Sequence, residues 1–395
     1  MLHRWSRKRA AKRAVASGLA AMDLQEYERA EMLFRYAVDC WPSHFGAWVN
    51  LGNAAGNRGR HRDAIRYYHQ AHTLAPFDHN PRVNTAHAHL MLGEYQDGWS
   101  IYEERWRDPG FHARTSIPVT PGTELAKRWD GVARPGRSLL VFNEQGVGDL
   151  LMMLRYWGRL ADTGMEIIYR VPAHVWRLVR YNVPNGATVV TDVEPVPGHD
   201  YHAAFMSLPY LFRTWTPHDV PGAVGYLTAR PHLAVSTLPG YTVGLVWKGN
   251  PAHTGDRHRS IHEDPIVFDR LIGTPGVTWV SLQLGASDIG GNALRSYETL
   301  DYYETASVIS SLDAVVAVDT SVAHLAGALG VPTLLMLGCP NDWRWKATGD
   351  RTHWYHSVRL YRSDRPNGWA SVIEDVQDDL THMAAAKGTP QMALP

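Results

Sequence analysis

Leu312-Asp-Ala-Val-Val-Ala-Val-Asp-Thr-Ser-Val-Ala-His-Leu-Ala-Gly-Ala-Leu-Gly-Val-Pro-Thr-Leu-Leu-Met-Leu-Gly338 reads as strand, polar turn, helix and strand, with its chemistry gathered at one turn. Ala314 to Val318 is an unbroken apolar run, as a parallel strand covered on both faces requires. Asp319, Thr320 and Ser321 bring helix-capping oxygens, Val322 to Leu329 make a helix of small residues, and Gly330 and Pro332 end it. A helix that starts directly after a parallel strand aims unpaired backbone N–H groups and a partial positive charge at the crevice above the sheet, where anions bind. His324 falls in the first turn of that helix, so a diphosphate is a natural ligand of the turn.

Outward from this stretch, short apolar runs alternate with helical segments. Ser138 to Phe142, Glu166 to Val171, Ala187 to Thr191 and Tyr201 to Met206 read as strands of one α/β domain. Tyr241 to Trp247, Val277 to Gln283, Ala314 to Val318 and Thr333 to Leu337 read as strands of a second. The Pro- and Gly-rich region 217–240 joins them, and Trp369 to Ala385 has the pattern of an amphipathic helix that packs on one of the halves. Two such sets predict two doubly wound, Rossmann-like halves that face each other with ligands between them. The expected boundaries are 138–230 and 231–395, preceded by a linker rich in Pro, Gly and Thr at 109–137.

Residues 1–108 follow a different rule. Gly18 and Gly52, Ala30 and Ala64, Phe34 and Tyr68, Ala37 and Ala71, and Pro42 and Pro76 are each separated by 34 residues. This is the tetratricopeptide period, in which small residues let two antiparallel helices pack closely, aromatics fill the groove between them and proline closes each unit. Trp48-Val-Asn-Leu-Gly52 supplies the start of the pattern, and a third unit continues the register through Gly93, Gly98 and Tyr102 to near Asp108. The repeats are either a docking surface for a protein partner or a rigid support for the α/β halves, and so short a stack favours support.

Composition narrows the function classes. Lys plus Arg equals Asp plus Glu at 39 each, so no global charge argues for nucleic acid or an acidic surface as partner. The basic tract Met1 to Arg13 has no apolar run behind it and leads straight into the repeats, unlike a targeting segment. No stretch reaches the roughly 18 apolar residues of a membrane span. Cys40 and Cys339 stand alone, which argues against a disulfide framework or a cysteine zinc site and makes the cytoplasm the expected location. The 21 histidines are scattered, no H-E-x-x-H helix occurs, and no D-x-D pair follows a strand, so the expected site holds no metal.

Three more loops carry candidate chemistry. Leu139-Leu-Val-Phe-Asn-Glu-Gln-Gly-Val-Gly-Asp-Leu-Leu-Met153 is strand, glycine turn and helix; Gly146 and Gly148 let backbone approach a ligand, and Asp149 lies at the helix start. A carboxylate there stays ionised and can accept a proton from a hydroxyl in the crevice, although a helix cap is the commoner role for such an Asp. Val243-Gly-Leu-Val-Trp-Lys-Gly-Asn250 brings Lys248 and Asn250 to the carboxyl end of a strand, and a loop with Arg257, His258 and Arg259 comes next. Cations at that edge suit a diphosphate; a solvated loop face is the alternative for the basic run. In Asn341-Asp-Trp-Arg-Trp345, Trp343 and Trp345 could stack on a base or sugar with Arg344 between them, or simply pack.

Together these segments resemble bacterial tetratricopeptide proteins fused to a heptosyltransferase-like glycosyltransferase of family 9. The matching pieces, in order, are Gly98-Trp99 with Tyr102-Glu103 and Arg105-Trp106, Glu144-Gln-Gly-Val-Gly-Asp149, Ser207-Leu-Pro209, Gly244-Leu-Val-Trp-Lys-Gly-Asn-Pro251, Arg259-Ser-Ile261, Ser281-Leu-Gln283, Asp319-Thr-Ser-Val-Ala-His324 and Asp342-Trp-Arg-Trp345. The resemblance implies a GT-B architecture in which 138–230 takes the acceptor and 231–395 holds a nucleotide-sugar donor. It also implies that Asp149 is the general base and that Asp319, Thr320 and Ser321 cradle the donor diphosphate. Ser321 stands where lipopolysaccharide heptosyltransferases commonly have glycine, which speaks against heptose as the donor sugar. The resemblance does not securely place the family's essential lysine on Lys248, whose expected role rests on its place at the strand edge alone.

The expectation is therefore tetratricopeptide helices followed by an α/β GT-B pair acting as an inverting, metal-independent hexosyl- or heptosyltransferase. It needs no cofactor beyond the nucleotide-diphosphate sugar it consumes. Donor contacts are expected from Lys248, Asn250, Asp319, Thr320, Ser321, His324, Trp343 and Arg344, and acceptor or phosphate contacts from Glu144, Gln145, Gly146, Gly148, Arg257 and Arg259. The expected acceptor is a glycan or protein, with nucleic acid left open, and the repeats offer a surface for a protein partner. The rival from another class is a non-catalytic repeat scaffold whose α/β part is degenerate or senses nucleotide sugars.

Overall fold

In the computed structural model the 34-residue spacing becomes three antiparallel helix pairs: α1 (Leu2–Asp23) with α2 (Tyr27–Cys40), α3 (Phe45–Asn57) with α4 (His61–Leu74), and α5 (Asn80–Met91) with α6 (Tyr95–Tyr102). The structure describes residues 2–108, 110–111, 115, 127–222, 225–251, 256–261, 266–285, 289 and 294–388, with the side chains of 2–4, 257, 266 and 267 outside the described set. Close helix approach explains the glycines. A Cβ on Gly18 would lie 2.5 Å from the Phe34 ring and one on Gly52 2.3 Å from the Tyr68 ring, so each aromatic occupies the space that its paired glycine leaves. Glu31 is 3% exposed and is matched by three guanidinium groups, Arg35 at 3.0 Å, Arg58 at 2.8 Å and Arg60 at 3.0 Å, which compensates its burial.

The chain forms two units. The first is Met1–Ser116 with Arg213–Asp219 and Pro340–Thr348; the second is Ile117–Phe212, Val220–Cys339 and Gly349–Pro395. The two short segments thus belong with the helices, not with the α/β halves in whose sequence they lie. Pro340–Thr348 joins them through tryptophan packing: Trp343 meets the Trp99 ring edge-on, with centroids 5.3 Å apart. Burial pushes the His87 imidazole on α5 down to about 4, with Asp342 opposing and Arg344 reinforcing the shift. Of the linker expected at 109–137, residues 109, 112–114 and 116–126 lie outside the described residues. Its end is not loose: Trp129 is 1% exposed, and its N–H donates to the His202 carbonyl at 2.9 Å.

The second unit holds two parallel sheets. β1 (Ser138–Phe142), β2 (Glu166–Val171), β3 (Thr188–Thr191) and β4 (Tyr201–Ala204) lie in the order β3-β2-β1-β4. β5 (Tyr241–Val246), β6 (Val277–Ser281), β7 (Leu294–Ser296), β8 (Ala314–Val318), β9 (Thr333–Leu337) and β10 (Val358–Arg362) lie in the order β10-β9-β8-β5-β6-β7. β5, β8 and β9 are buried along their whole length, as continuous apolar runs in a doubly covered sheet should be. These are the paired Rossmann-like halves of a GT-B arrangement. In each sheet the strand order reverses beside its first strand, between β1 and β4 and between β5 and β8, and ligands bind at such reversals.

Several strand ends differ from expectation because side chains replace the ladder. β5 stops at Val246, since the N–H groups of Trp247 and Lys248 both donate to Gln283 Oε1, at 3.3 and 3.0 Å. β4 stops at Ala204, and the Met206 N–H turns to Glu144 Oε1 at 3.2 Å. The C-terminal helix runs Trp369–Gly388, a turn longer than its apolar pattern, and its Trp369, Val372, Ile373, Val376 and Leu380 complete the core of the six-stranded sheet. Among the described residues no helix is long and apolar enough to cross a membrane.

The turns that close the helix pairs repeat a left-handed residue at the same period: Gln25 (φ 60°), Gly59 (φ 74°) and Gly93 (φ 76°). In each, the following N–H reaches back over the helix end, from Glu26 to Ala21, Arg60 to Ala55 and Glu94 to His89, all at 2.9 Å. Only the first lacks the glycine that this conformation favours. Gln25→Gly is expected to stabilise the helical unit by about 1 kcal/mol, which a chemical denaturation midpoint measures; an unchanged or lower midpoint contradicts it.

Candidate functional site at two sheet edges

The site starts from two helices that each follow a strand at a reversal point. α7 (Val147–Met153) leaves the loop after β1, and α9 (Ser321–Leu329) leaves the turn after β8, following α8 (Tyr302–Ile309) in the chain. Both belong to the same unit and pack against each other. Their tightest approach is at Gly148, where an added Cβ would lie 2.7 Å from His324 Cδ2 and 3.3 Å from its Nε2. The Glu144–Asp149 loop and the Asp319–Ser321 turn, expected from the sequence to face each other across one crevice, each lead into a helix of this packed pair.

On the first sheet's edge, Glu144 ties the loop after β1 to that after β4 through Met206, and Asn143 Nδ2 donates to the Gln145 carbonyl at 2.7 Å. Gly146 is the N-cap of α7, which puts Asp149 in the first helical turn instead of at the cap, with its own N–H donating to the Gly146 carbonyl at 3.1 Å. Gln145 and Gly146 are exposed, and Asp149 is half-buried. Gly146 has an ordinary φ of −64°, and its absent Cβ would meet only Asp149 Oδ2 at 3.5 Å. It is therefore Gly148, not Gly146, at which this fold excludes a side chain.

On the second sheet's edge, Thr320 is the N-cap of α9, but the capping expected of its side chain is not made. Its Oγ1 is buried without a hydrogen-bond partner, and so is Asn143 Oδ1 at the other edge. The Ser321 hydroxyl is instead 2.6 Å from the Tyr302 hydroxyl, and burial pushes that phenol above its ordinary range while the Ser321 bond opposes the shift. Asp319 is buried and faces Arg259 Nε at 3.7 Å, which draws the basic segment to the turn. The Asp256–Ser260 pair holds that segment: the Gly249 N–H donates to Ser260 Oγ at 2.7 Å, and an added Gly249 Cβ would lie 3.7 Å from Thr320 Cγ2. Lys248 is half-buried and Asn250 exposed beside this turn. The Arg257 side chain lies outside the described residues.

Trp343 and Arg344 lie in the other unit, with the helices. Trp343 is 6% exposed against Trp99, and Arg344 lies over the Trp343 ring at 4.4 Å while pairing with Asp342. Within the helical unit the contacts of both are those of packing, the alternative that the sequence also offered. Conversely, sequence reading missed Tyr302, Asp256 and the buried set Arg155, Tyr226 and Tyr355. Tyr355 places its hydroxyl 2.9 Å from His324 Nδ1. No local pattern announces Tyr302, Tyr226 or Tyr355, whose side-chain partners at Ser321, Leu151 and His324 lie 19 or more residues away.

The segment running from before α8 through α9 to β10 carries this turn and its histidine. Residues 299–365 match glycosyltransferase family 9 (heptosyltransferase). The match supports a glycosyltransferase, and the tetratricopeptide arrangement of α1–α6 makes the chain a repeat protein fused to such a segment. Among curated proteins it is similar to Protein FlbA of Caulobacter vibrioides, 23% identical over 440 residues that cover 93% of this chain and 72% of that protein. Among solved structures, MamA MSR-1 C2 is 24% identical with a TM-score of 0.23, over 24% of this chain and 54% of that one, so the chain spans about half of that relative. The Arabidopsis OM64 TPR domain is 13% identical with a TM-score of 0.26, over 26% of this chain and 87% of that one.

Gly148→Ala tests the contact on which the site is built. A methyl group 2.7 Å from an aromatic carbon forces the helices apart, an overpacking cost of about 1–3 kcal/mol. The thermal midpoint of the variant should fall by several degrees, and Gly146→Ala, with only an ordinary contact at its Cβ, should leave it within about one degree.

Proposed function

We propose that the protein transfers a sugar from a nucleotide-diphosphate sugar to an acceptor hydroxyl, with inversion at the anomeric carbon and without a metal ion. Asp149 takes the acceptor proton as the hydroxyl oxygen attacks. The bond from the anomeric carbon to the diphosphate breaks, and its electron pair leaves on the phosphate oxygen. Thr320 and Ser321, the N–H groups opening α9, and Lys248 meet the growing negative charge. The observation that carries this reading is the packing of Gly148 against His324, which brings the helix that holds the half-buried Asp149 against the helix that follows Thr320. The buried, unpartnered Thr320 Oγ1 supports it, because a donor hydroxyl at a helix N-cap is what a phosphate oxygen completes. The sugar is a hexose or heptose, and the acceptor a glycan or protein, with the repeats as a surface for a protein partner.

Two variants separate chemistry from binding. Asp149→Asn is expected to cut turnover by about 10² to 10⁴ while leaving the melting shift given by nucleoside diphosphates intact; equal loss of both rejects Asp149 as base. Thr320→Val removes a buried hydroxyl that has no partner within the protein, so it should stabilise the unliganded chain by about 1 kcal/mol and weaken nucleoside diphosphate binding about tenfold. A titration with ADP, GDP, UDP, TDP and CDP followed by thermal shift reads both effects. If none of the five shifts a cooperatively melting wild type, the non-catalytic scaffold takes the place of this reading.

A further inference from the structure

Arg155 is the most unusual buried group in the α/β unit. It is 3% exposed and permanently charged, and its hydrogen bonds run to the carbonyls of Met152 at 2.7 Å and Pro221 at 3.3 Å and to the Tyr226 hydroxyl at 3.3 Å. Its guanidinium carbon lies 4.8, 5.2 and 4.9 Å from the ring centroids of Tyr226, Trp354 and Tyr355. This is a cation held by ring faces and neutral oxygens, with no carboxylate among these partners.

A guanidinium only donates, so phenol oxygens beside it serve as acceptors and must send their own protons onward. Tyr226 sends its proton to the Leu151 carbonyl at 2.8 Å. Tyr355 has His324 Nδ1 at 2.9 Å. Burial pushes the Tyr355 hydroxyl well above the ordinary phenol range, Tyr226 adding to the shift and Arg155 opposing it, so this group keeps a proton to give. We infer that Tyr355 is a positioning residue that, backed by the caged Arg155, donates to His324 Nδ1 and so holds the imidazole neutral with its proton on Nε2. Nε2 is the ring nitrogen on the Gly148 side, 3.3 Å from where a Cβ would stand. The network thereby places a hydrogen-bond donor between α7 and the start of α9, and the use of that donor for a nucleoside diphosphate rests on the function proposed above.

The test reads the tautomer directly and needs no sugar or acceptor. The full chain is labelled with nitrogen-15 in its histidine rings, and long-range proton–nitrogen correlation spectra are recorded at neutral pH, with His324 identified by its loss in His324→Gln. Wild type should show an unprotonated Nδ1 and a protonated Nε2. Tyr355→Phe should populate the other tautomer, and its thermal shift with the nucleoside diphosphate that binds wild type should need about tenfold more ligand. A wild-type His324 protonated at Nδ1, or a Tyr355→Phe spectrum unchanged from wild type, overturns the assignment. The wild-type spectrum alone decides it if Tyr355→Phe does not fold. A wild type with the stated tautomer that binds none of ADP, GDP, UDP, TDP or CDP keeps Tyr355 in its role and rejects the donor site instead.

Discussion

The bare α-carbon of Gly148 against the ring of His324 is the contact on which the α/β unit depends. Two helices, each emerging at the point where its own sheet reverses, can lie together only if one offers no side chain there. Once they do, an acidic helix start from one half and an anion-attracting helix start from the other are neighbours, although neither loop alone says which ligand it serves. The sheets hold these helix starts with backbone ladders and fully buried strands.

The second edge adds a division of labour within three consecutive residues. Asp319 is committed to Arg259, Ser321 to Tyr302, and Thr320 to nothing, although its hydroxyl is buried. The structural load of the turn is thus borne by its outer members. The middle one has a buried hydroxyl without a protein partner, an arrangement that costs stability.

Most of the fold was legible because it rests on local patterns. β8, its turn and α9 could be bounded within a residue, since an apolar run, a polar triplet and a Gly–Pro stop are all local signals. The 34-residue period likewise marked the glycines and aromatics of the repeats, and the structure sets Gly18 against Phe34 and Gly52 against Tyr68. β10 was illegible: it is an edge strand with Arg359 and Arg362 within it, so it lacks the apolar run of a central strand. β7 has only three residues. At the site, the charged and glycine residues of the loops stood out, but Tyr302, Tyr355 and Arg155 did not, because they matter through partners distant in sequence. The packing of Trp343 was hidden for the same reason: its segment comes after a central strand, yet its ring partner is Trp99 of the third repeat.

That segment has a further consequence. Pro340–Thr348 interrupts the α/β unit between β9 and β10, and Arg213–Asp219 interrupts it earlier, yet both are built into the helical unit. The chain is therefore not a pair of beads that recombination could cut and rejoin at one linker. A transferase half inherited without the repeats would carry an orphaned tryptophan loop, and repeats copied alone would lack two pieces of themselves. No single cut in the chain therefore separates the two units whole.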